Sequence, residues 1–290
     1  FEALPKGYGR HLEMKLLMRS WAAIDPIEAL EYANQALDEK SERRFGISEI
    51  LAGWANEDLD AALTWARANH QSAEPKDNPL LVGIIKGLAE NDLDAANEIF
   101  LSLPDGSARW QASAFLAQEY CKKGTEVAIR WADSLPMDDL RMRETILGQL
   151  GSRLARLDLE GTAKWVSSLN QDSASERVMD NLLSHWVTQN PRNASVWVDE
   201  IKKENQRYYA MKQLASRWSL VDPVATARWL NKFPPSPKLD PVVSEFVSRI
   251  SARDPEGAVG WAQSIIDPSS KQTALDKALD AWDQTSPQAA

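Results

Sequence analysis

The chain has 290 residues, of which 43% are hydrophobic and 26% charged, as in ordinary globular proteins. Its formal net charge of −9 disfavours nonspecific binding to nucleic acid or anionic membranes, because both require a basic face. No apolar stretch reaches the length of about 18 residues that a membrane span needs, so we expect a soluble chain without membrane insertion, either cytoplasmic or exported. The chain begins at Phe1 rather than at a methionine, so we expect a trimmed or processed product.

An internal repeat dominates the sequence. An Asp-Pro-like dipeptide recurs at intervals of 33, 34, 32, 34, 32, 32, 32 and 32 residues. A period in this range is typical of stacked helical repeats. The dipeptides are Asp25-Pro26, Asp58-Leu59, Asp92-Leu93, Gly124-Thr125, Asp158-Leu159, Asn190-Pro191, Asp222-Pro223, Asp254-Pro255 and Ser286-Pro287. We therefore predict a single repeat domain over residues 1–290.

Tryptophans recur at two fixed positions when the first residue of each dipeptide is counted as zero. Of the 12 tryptophans, all but Trp110 stand at −4 or +7, and position +4 is always Ala or Thr. Position −4 holds Trp21, Trp54, Trp186, Trp218 and Trp282, and position +7 holds Trp65, Trp131, Trp165, Trp197, Trp229 and Trp261. Regular tryptophans at helical spacing indicate core packing, and the small +4 residue allows two helices to approach closely.

Each repeat reads as a helical hairpin. Apolar residues at −4, −7, −8 and −11 form one stripe of a helix A that ends at the turn. Asp or Asn at zero is a favourable N-cap, and proline at +1 suits the first position of a helix B. Helix B carries apolar residues at +4, +7, +8 and +11 and ends before Pro104, Pro136 and Pro234. The sequence predicts nine A helices and eight B helices, with no strand.

The Trp–Asp-Pro–Ala–Trp pattern resembles the helical repeats of uncharacterised bacterial proteins over residues 8–290. Tetratricopeptide repeats are similar in period and plan, but their tryptophan falls early in the first helix, whereas Trp186 and Trp218 lie in its last turn. The resemblance implies an all-α fold, a right-handed α-solenoid of about nine αα-hairpins of 32–34 residues each. Tetratricopeptide proteins are interaction scaffolds, and the likeness implies a comparable role.

No motif indicates enzyme chemistry. His11, His70 and His185 fall in different repeats without metal-ligand spacing, and no phosphate-binding loop or nucleophile elbow is present. We expect no catalytic residues, no metal and no cofactor. Cys121 stands where other repeats carry alanine or valine, so we interpret it as a small buried hydrophobe rather than a reactive thiol.

Two sets of basic residues repeat. Position −15 lies along the core stripe, so we expect its residues to pair with loop carbonyls or carboxylates of an adjacent repeat; they are Arg10, Arg43, Arg109, Arg143, Arg207 and Lys271. Position −5 holds Arg153, His185, Arg217 and Arg249 in four consecutive repeats. Position −6 there is always serine, and position −9 holds Gln149, Asn181, Gln213 and Glu245. These positions form parallel polar rows about 10 Å apart if the helices stack.

The leading hypothesis is a non-enzymatic scaffold that binds a protein or peptide, such as an acidic segment, along the A helices of repeats five to eight. The alternative for the polar rows is a solvated face whose arginines pair with nearby carboxylates. The alternative function is a carbohydrate-binding or enzyme-associated α/α module, which would use exposed aromatics such as Trp110, Tyr208 and Tyr209. Trp110 itself is interpreted either as a binding anchor or as a cover for the neighbouring loop.

Overall fold

The computed structural model describes residues 7–70, 77–136 and 138–285, and every regular element in these ranges is an α-helix. The 17 helices are α1 (Tyr8–Ala22), α2 (Pro26–Ala36), α3 (Lys40–Glu57), α4 (Leu59–Asn69), α5 (Leu80–Asn91), α6 (Leu93–Ser102), α7 (Ser107–Lys122), α8 (Thr125–Ser134), α9 (Leu140–Leu157), α10 (Leu159–Ser168), α11 (Ser173–Gln189), α12 (Pro191–Glu200), α13 (Glu204–Val221), α14 (Pro223–Leu230), α15 (Asp240–Ile250), α16 (Pro255–Gln263) and α17 (Pro268–Thr285). The predicted all-α class and helix number are confirmed. The ninth dipeptide, Ser286-Pro287, lies outside the described residues.

The odd-numbered helices are the predicted A helices and the even-numbered helices are the B helices. In five hairpins, one residue at position zero is all that separates helix A from helix B. At Asp222, the backbone N–H donates to the Trp218 carbonyl at 2.8 Å, and the carboxylate accepts from Ala225 N–H at 2.9 Å. The same residue therefore ends one helix and caps the next, which satisfies backbone groups that both helix ends leave exposed.

The turn after α7 is built differently. Gly124 has φ +118°, a left-handed conformation that glycine adopts without the steric cost of a Cβ. It has no side chain to cap α8, in contrast to the aspartates and asparagine at the seven other described turns. The turn between α7 and α8 therefore depends on the left-handed conformation of Gly124 and not on a capping side chain.

The aromatic residues at −4 and +7 meet inside the hairpin. The Trp218 and Trp229 rings lie 6.0 Å apart between centroids, and the residues are 3% and 2% exposed. The same contact joins Trp21 to Tyr32, Trp54 to Trp65, Tyr120 to Trp131, and Trp186 to Trp197. Every +4 residue is fully buried. Cys121 is also buried, as expected for a core residue.

Two compact units divide the chain, Phe1–Leu150 and Gly151–Ala290, with the boundary inside α9. In the first unit, α1, α3, α5 and α7 pack in succession, α2, α4 and α6 each lie against the A helices before and after them, and α8 lies against α7. In the second unit, α11, α13, α15 and α17 pack in succession in the same way. Each unit therefore holds a layer of A helices with B helices packed against it.

Glycines set the spacing of the A helices in the first unit. A Cβ at Gly53 would lie 2.7 Å from the Arg19 carbonyl oxygen, and one at Gly87 would lie 2.3 Å from the Ala52 carbonyl oxygen. Because real Cβ atoms do not approach backbone oxygens this closely, α1, α3 and α5 require glycine at these contacts. Both glycines occupy position −5, where the second unit carries larger residues.

The buried tryptophan pair leads to a stability prediction. Replacing Trp218 with alanine removes a large core side chain, so the free energy of unfolding of the second unit should fall by about 3–5 kcal/mol. Urea denaturation followed by near-ultraviolet circular dichroism measures this change. Trp110→Ala is the matched control, since Trp110 is 58% exposed and its loss should cost less than about 1 kcal/mol. Equal stability of the two variants would show that the Trp218 ring is not part of the core.

Candidate functional site

The predicted basic residues at −5 lie on consecutive A helices of the second unit. His185, Arg217 and Arg249 stand on α11, α13 and α15, and we call these three residues the basic ladder. The side chains of Arg217 and Arg249 are 26% and 43% exposed, and His185 is half-buried. Arg153, on the last part of α9, is also half-buried. The ladder arginines therefore remain in contact with solvent.

Each ladder arginine reaches back to the serine of the preceding A helix. Arg217 Nε donates to Ser184 Oγ at 2.8 Å, and Arg249 Nε donates to Ser216 Oγ at 3.0 Å. Both contacts join position −5 of one repeat to position −6 of the repeat before it. The serine is small enough to let the guanidinium lie across the helix boundary, so the two polar rows predicted as parallel are hydrogen-bonded to one another.

The residues at −9 hold the same arginines from their own helix. Arg217 Nη1 donates to Gln213 Oε1 at 2.7 Å, and Arg249 Nε donates to Glu245 Oε1 at 2.8 Å. Burial alone would raise the pKa of Glu245, but hydrogen bonds from Ser216 and Arg249 lower it below its ordinary value. Glu245 therefore stays charged and fixes Arg249 in place. The other predicted −9 residues are Asn181, half-buried on α11, and Gln149, half-buried on α9 in the first unit.

An acid that the sequence pattern did not reveal supports Arg217. Asp180 Oδ1 lies 3.7 Å from Arg217 Nη2, and Tyr209 Oη donates to Asp180 Oδ2 at 3.2 Å. Burial raises the pKa of Asp180, although the charge of Arg217 acts in the opposite direction. The pKa of Tyr209 is raised by burial and by the negative charge of Asp180. Aspartate occurs at −10 only here and at Asp276 of the ninth repeat, so it does not recur in consecutive repeats and gave no signal.

The aromatic residues named for the alternative function are not gathered together. Trp110 is exposed on α7 in the first unit, beside a small cavity of about 70 Å³ that Arg109 and Arg141 also line. In the second unit, Tyr209 is engaged by Asp180, and the half-buried Tyr208 ring lies 5.5 Å from the Arg207 guanidinium carbon. Within the second unit, the contacts of Tyr208 and Tyr209 in the described residues are with Arg207 and Asp180 rather than with each other.

A charged cluster in the first unit was missed by the sequence reasoning. Glu49 is fully buried and accepts hydrogen bonds from Arg19 Nε, at 2.7 Å, and from Lys86 Nζ. Arg19 also donates from Nη2 to Glu90 at 3.2 Å, and Lys15 lies 3.4 Å from the same carboxylate. Burial alone would raise the pKa of Glu90, but Arg19 and Lys15 lower it. The cluster joins α1, α3 and α5.

The missed cluster uses the same positions as the ladder. Arg19 and Lys86 stand at −6 and Glu49 at −9, where repeats five to eight carry serine at −6 and, in three of the four, an amide at −9. The sequence therefore does mark the cluster at these positions. The mark is a change from neutral residues in the later repeats to charged residues in the early ones, and not one amino acid that recurs in every repeat. Lys86 Nζ also lies 5.4 Å and 5.5 Å from the ring centroids of Phe45 and Phe115, a distance at which cation–π attraction contributes.

The basic residues at −15 make structural contacts where the structure shows their partners. Arg10 Nε donates to Glu42 Oε1 at 2.8 Å, Arg43 Nε donates to the Leu37 carbonyl at 2.9 Å, and Arg109 Nη1 donates to Asp139 at 2.6 Å. The hydrogen bonds that Arg10 donates to Glu42 and Arg109 donates to Asp139 join each arginine to the following repeat. These three residues thus match the structural role expected for them.

A cavity of about 700 Å³ lies between the end of α14, the start of α15 and helix α16. Helix α14 ends at Leu230, and the chain then turns through Pro234 and Pro235. Position +6 is occupied by larger side chains in the other repeats but is Gly260 here, and a Cβ on it would meet nothing within 4 Å. The half-buried Trp261 lines the cavity. The cavity therefore lies where α14 ends early and where glycine replaces the larger residue found at +6 in the other repeats.

No protein-family model matches the chain, and no curated protein sequence matches it. Among residues 7–70, 77–136 and 138–285, no group of three or more His, Cys, Asp or Glu side chains is arranged to hold a metal ion. Over the same ranges, no helix is both long enough and apolar enough to span a bilayer.

Loss of the buried carboxylate should destabilise the first unit. Glu49→Ala leaves Arg19 and Lys86 close together without their shared counter-charge, so the free energy of unfolding should fall by about 3–5 kcal/mol. Chemical denaturation measures the loss. Glu57→Ala, at an exposed residue of the same helix, should change stability by less than about 0.5 kcal/mol. A Glu49→Ala protein as stable as the control would mean that the cluster does not hold α1, α3 and α5 together.

Proposed function

We propose that the chain is a non-enzymatic scaffold of α-solenoid type that binds an acidic protein segment along the A helices of its second unit. The observation that carries the proposal is the state of Arg249. In the described part of the chain, the hydrogen bonds of the Arg249 side chain come from Nε, which donates to Ser216 and Glu245. The side chain is 43% exposed. The two terminal nitrogens are therefore available to a ligand while the side chain is already held.

A fixed guanidinium is well suited to recognise a carboxylate. Its terminal N–H groups donate two parallel hydrogen bonds to the two oxygens of an Asp or Glu side chain. Because Ser216 and Glu245 already order Arg249, binding loses less side-chain entropy than it would with a free arginine. Arg217, held by Ser184 and Gln213, offers a second, more enclosed contact on the neighbouring helix.

The spacing of the helices suggests the pattern of the partner. Neighbouring helices pack roughly 8–10 Å apart. A peptide in the polyproline II conformation rises about 3.1 Å per residue with three residues per turn, so every third side chain faces the same way and would meet the next A helix. We therefore propose a partner with acidic residues at i and i+3, aligned across α13 and α15.

Reversal of the ladder charges tests this proposal. A fluorescent peptide of sequence SESSESSES should bind the whole chain, and Arg217→Glu/Arg249→Glu should weaken binding by at least about tenfold, as expected for the loss of charge-assisted hydrogen bonds. Fluorescence anisotropy at low salt measures the affinity. Arg192→Glu/Arg228→Glu changes the net charge equally at exposed positions of α12 and α14 and should bind as the parent does. Equal weakening by both double variants, or by neither, contradicts recognition at the ladder.

A second candidate function is carbohydrate or small-molecule binding in the cavity beside α16. Trp261 provides a half-buried aromatic face there, and the space at Gly260 gives access to it. Aromatic faces with a few polar groups around them are typical of ligand pockets of this size. Lys232, Ser236 and Ser264 supply the polar groups.

Filling the cavity distinguishes this second function from the first. Hexasaccharides of glucose and of N-acetylglucosamine serve as probes, with tryptophan fluorescence as the readout. Gly260→Leu should abolish any response, because its side chain would occupy open space inside the cavity. Gly9→Leu also adds a side chain in open space, but on α1, and should respond like the parent. A response that survives Gly260→Leu would exclude this cavity as the binding site.

A further inference from the structure

A polar groove lies on the layer of A helices of the second unit, between α15 and α17. It has a volume of about 330 Å³, and its floor is formed by Val247 and Ala274. Hydroxyl groups and one ammonium group surround that floor. The polar lining residues are Ser244, Ser248, Ser269, Ser270, Thr273 and Lys277. No carboxylate lines the groove, although the chain as a whole is acidic.

The equivalent place between α13 and α15, which we call the preceding groove, shows which chemical group this arrangement of helices binds. There, Ser216 Oγ at position −6 donates to the Glu245 carboxylate at 2.8 Å, and Arg249 donates to the same oxygen at 2.8 Å. The protein thus fills that groove with a carboxylate of its own, from position −9 of the next helix. A serine and a basic side chain hold it.

The groove between α15 and α17 has the same serine but lacks the carboxylate. Ser248 stands at −6, and the −9 position of the next repeat is Lys277 instead of an acid. Lys277 Nζ donates to Ser248 Oγ at 2.5 Å. That contact uses one of the three ammonium protons and leaves the Ser248 hydroxyl proton available. The groove therefore keeps the serine donor, has Ala281 where the preceding groove has Arg249, and offers the ammonium group of Lys277 instead, without an internal acceptor.

A third donor in the groove is unsatisfied. Ser244 Oγ is shielded from solvent, and no hydrogen-bond partner for it lies within the described residues. A buried hydroxyl without a partner is unfavourable, and the favourable solution is an acceptor that enters its neighbourhood. Ser244 lines the groove one helical turn before Ser248, so both hydroxyls belong to one face of α15.

We infer that the groove between α15 and α17 binds a carboxylate side chain of an acidic peptide, with Lys277, Ser248 and Ser244 as its donors. The inference rests on the proposed scaffold function and extends it by one helix beyond Arg249. An Asp or Glu side chain in the groove accepts from Ser248 and Lys277, much as Glu245 accepts from Ser216 and Arg249 in the groove before it. The partner segment then presents three acidic residues in succession, to Arg217, Arg249 and Lys277.

The decisive variant copies the preceding groove. Lys277→Glu restores the acid found at −9 in the α13–α15 groove, so its carboxylate should accept from Ser248 and exclude the peptide. The whole chain is titrated with fluorescent SESSESSES, and affinity should fall by at least about tenfold. Lys271→Glu makes the same charge change on the same helix, outside the groove, and should alter affinity by less than about twofold. Ser244→Ala should weaken binding without changing charge.

The outcomes separate this inference from the function on which it rests. If Arg217→Glu/Arg249→Glu weakens binding and Lys277→Glu behaves like Lys271→Glu, the groove is overturned and the ladder stands. If only Lys277→Glu weakens binding, the groove stands and the ladder does not. If the parent binds SESSESSES no better than SQSSQSSQS, both are overturned. Far-ultraviolet circular dichroism of each variant verifies that a lost affinity does not come from a lost fold.

Discussion

The double hydrogen bonding of the residue at position zero determines how everything else in this protein is placed. An aspartate such as Asp222 closes helix A with its N–H and opens helix B with its carboxylate. The two helices are then joined with almost no slack, so their relative rotation is fixed. That rotation turns −4 towards +7, as the Trp218–Trp229 pair shows. Loss of the carboxylate at a turn would weaken a helix and also the register of the aromatic pair.

A fixed register inside each hairpin leaves positions −5, −6 and −9 for contacts between hairpins. The second unit uses them for hydrogen bonds, with Arg217 on Ser184 and Arg249 on Ser216. The first unit uses position −5 for direct backbone contact at Gly53 and Gly87, and positions −6 and −9 for buried charge around Glu49. The same positions therefore produce two kinds of helix contact, one closely packed and one that leaves cationic groups exposed. The exposed groups carry the proposed function.

The fold was largely predictable because its determinants are local. A cap acts over three residues and an apolar stripe over a few turns, so the turn at Asp222 and the pairing of Trp218 with Trp229 could be predicted from spacing alone. The site was less predictable because its contacts join residues about 30 positions apart. The pairing of Arg249 with Ser216 depends on how two helices meet, and the cluster around Glu49 requires three helices. Aspartate recurs at the position of Asp180 only at Asp276, three repeats later, so no run of consecutive repeats could reveal it.

The glycine contacts of the first unit have a consequence for sequence variation. Every amino acid other than glycine has a Cβ, so any missense change at codon 87 places an atom about 2.3 Å from the Ala52 oxygen. At the equivalent positions 217 and 249, a change removes a hydrogen bond but meets no backbone. In a population of variants, positions 53 and 87 would be held constant by the requirement to fold. Positions 217 and 249 would vary with whatever the protein binds.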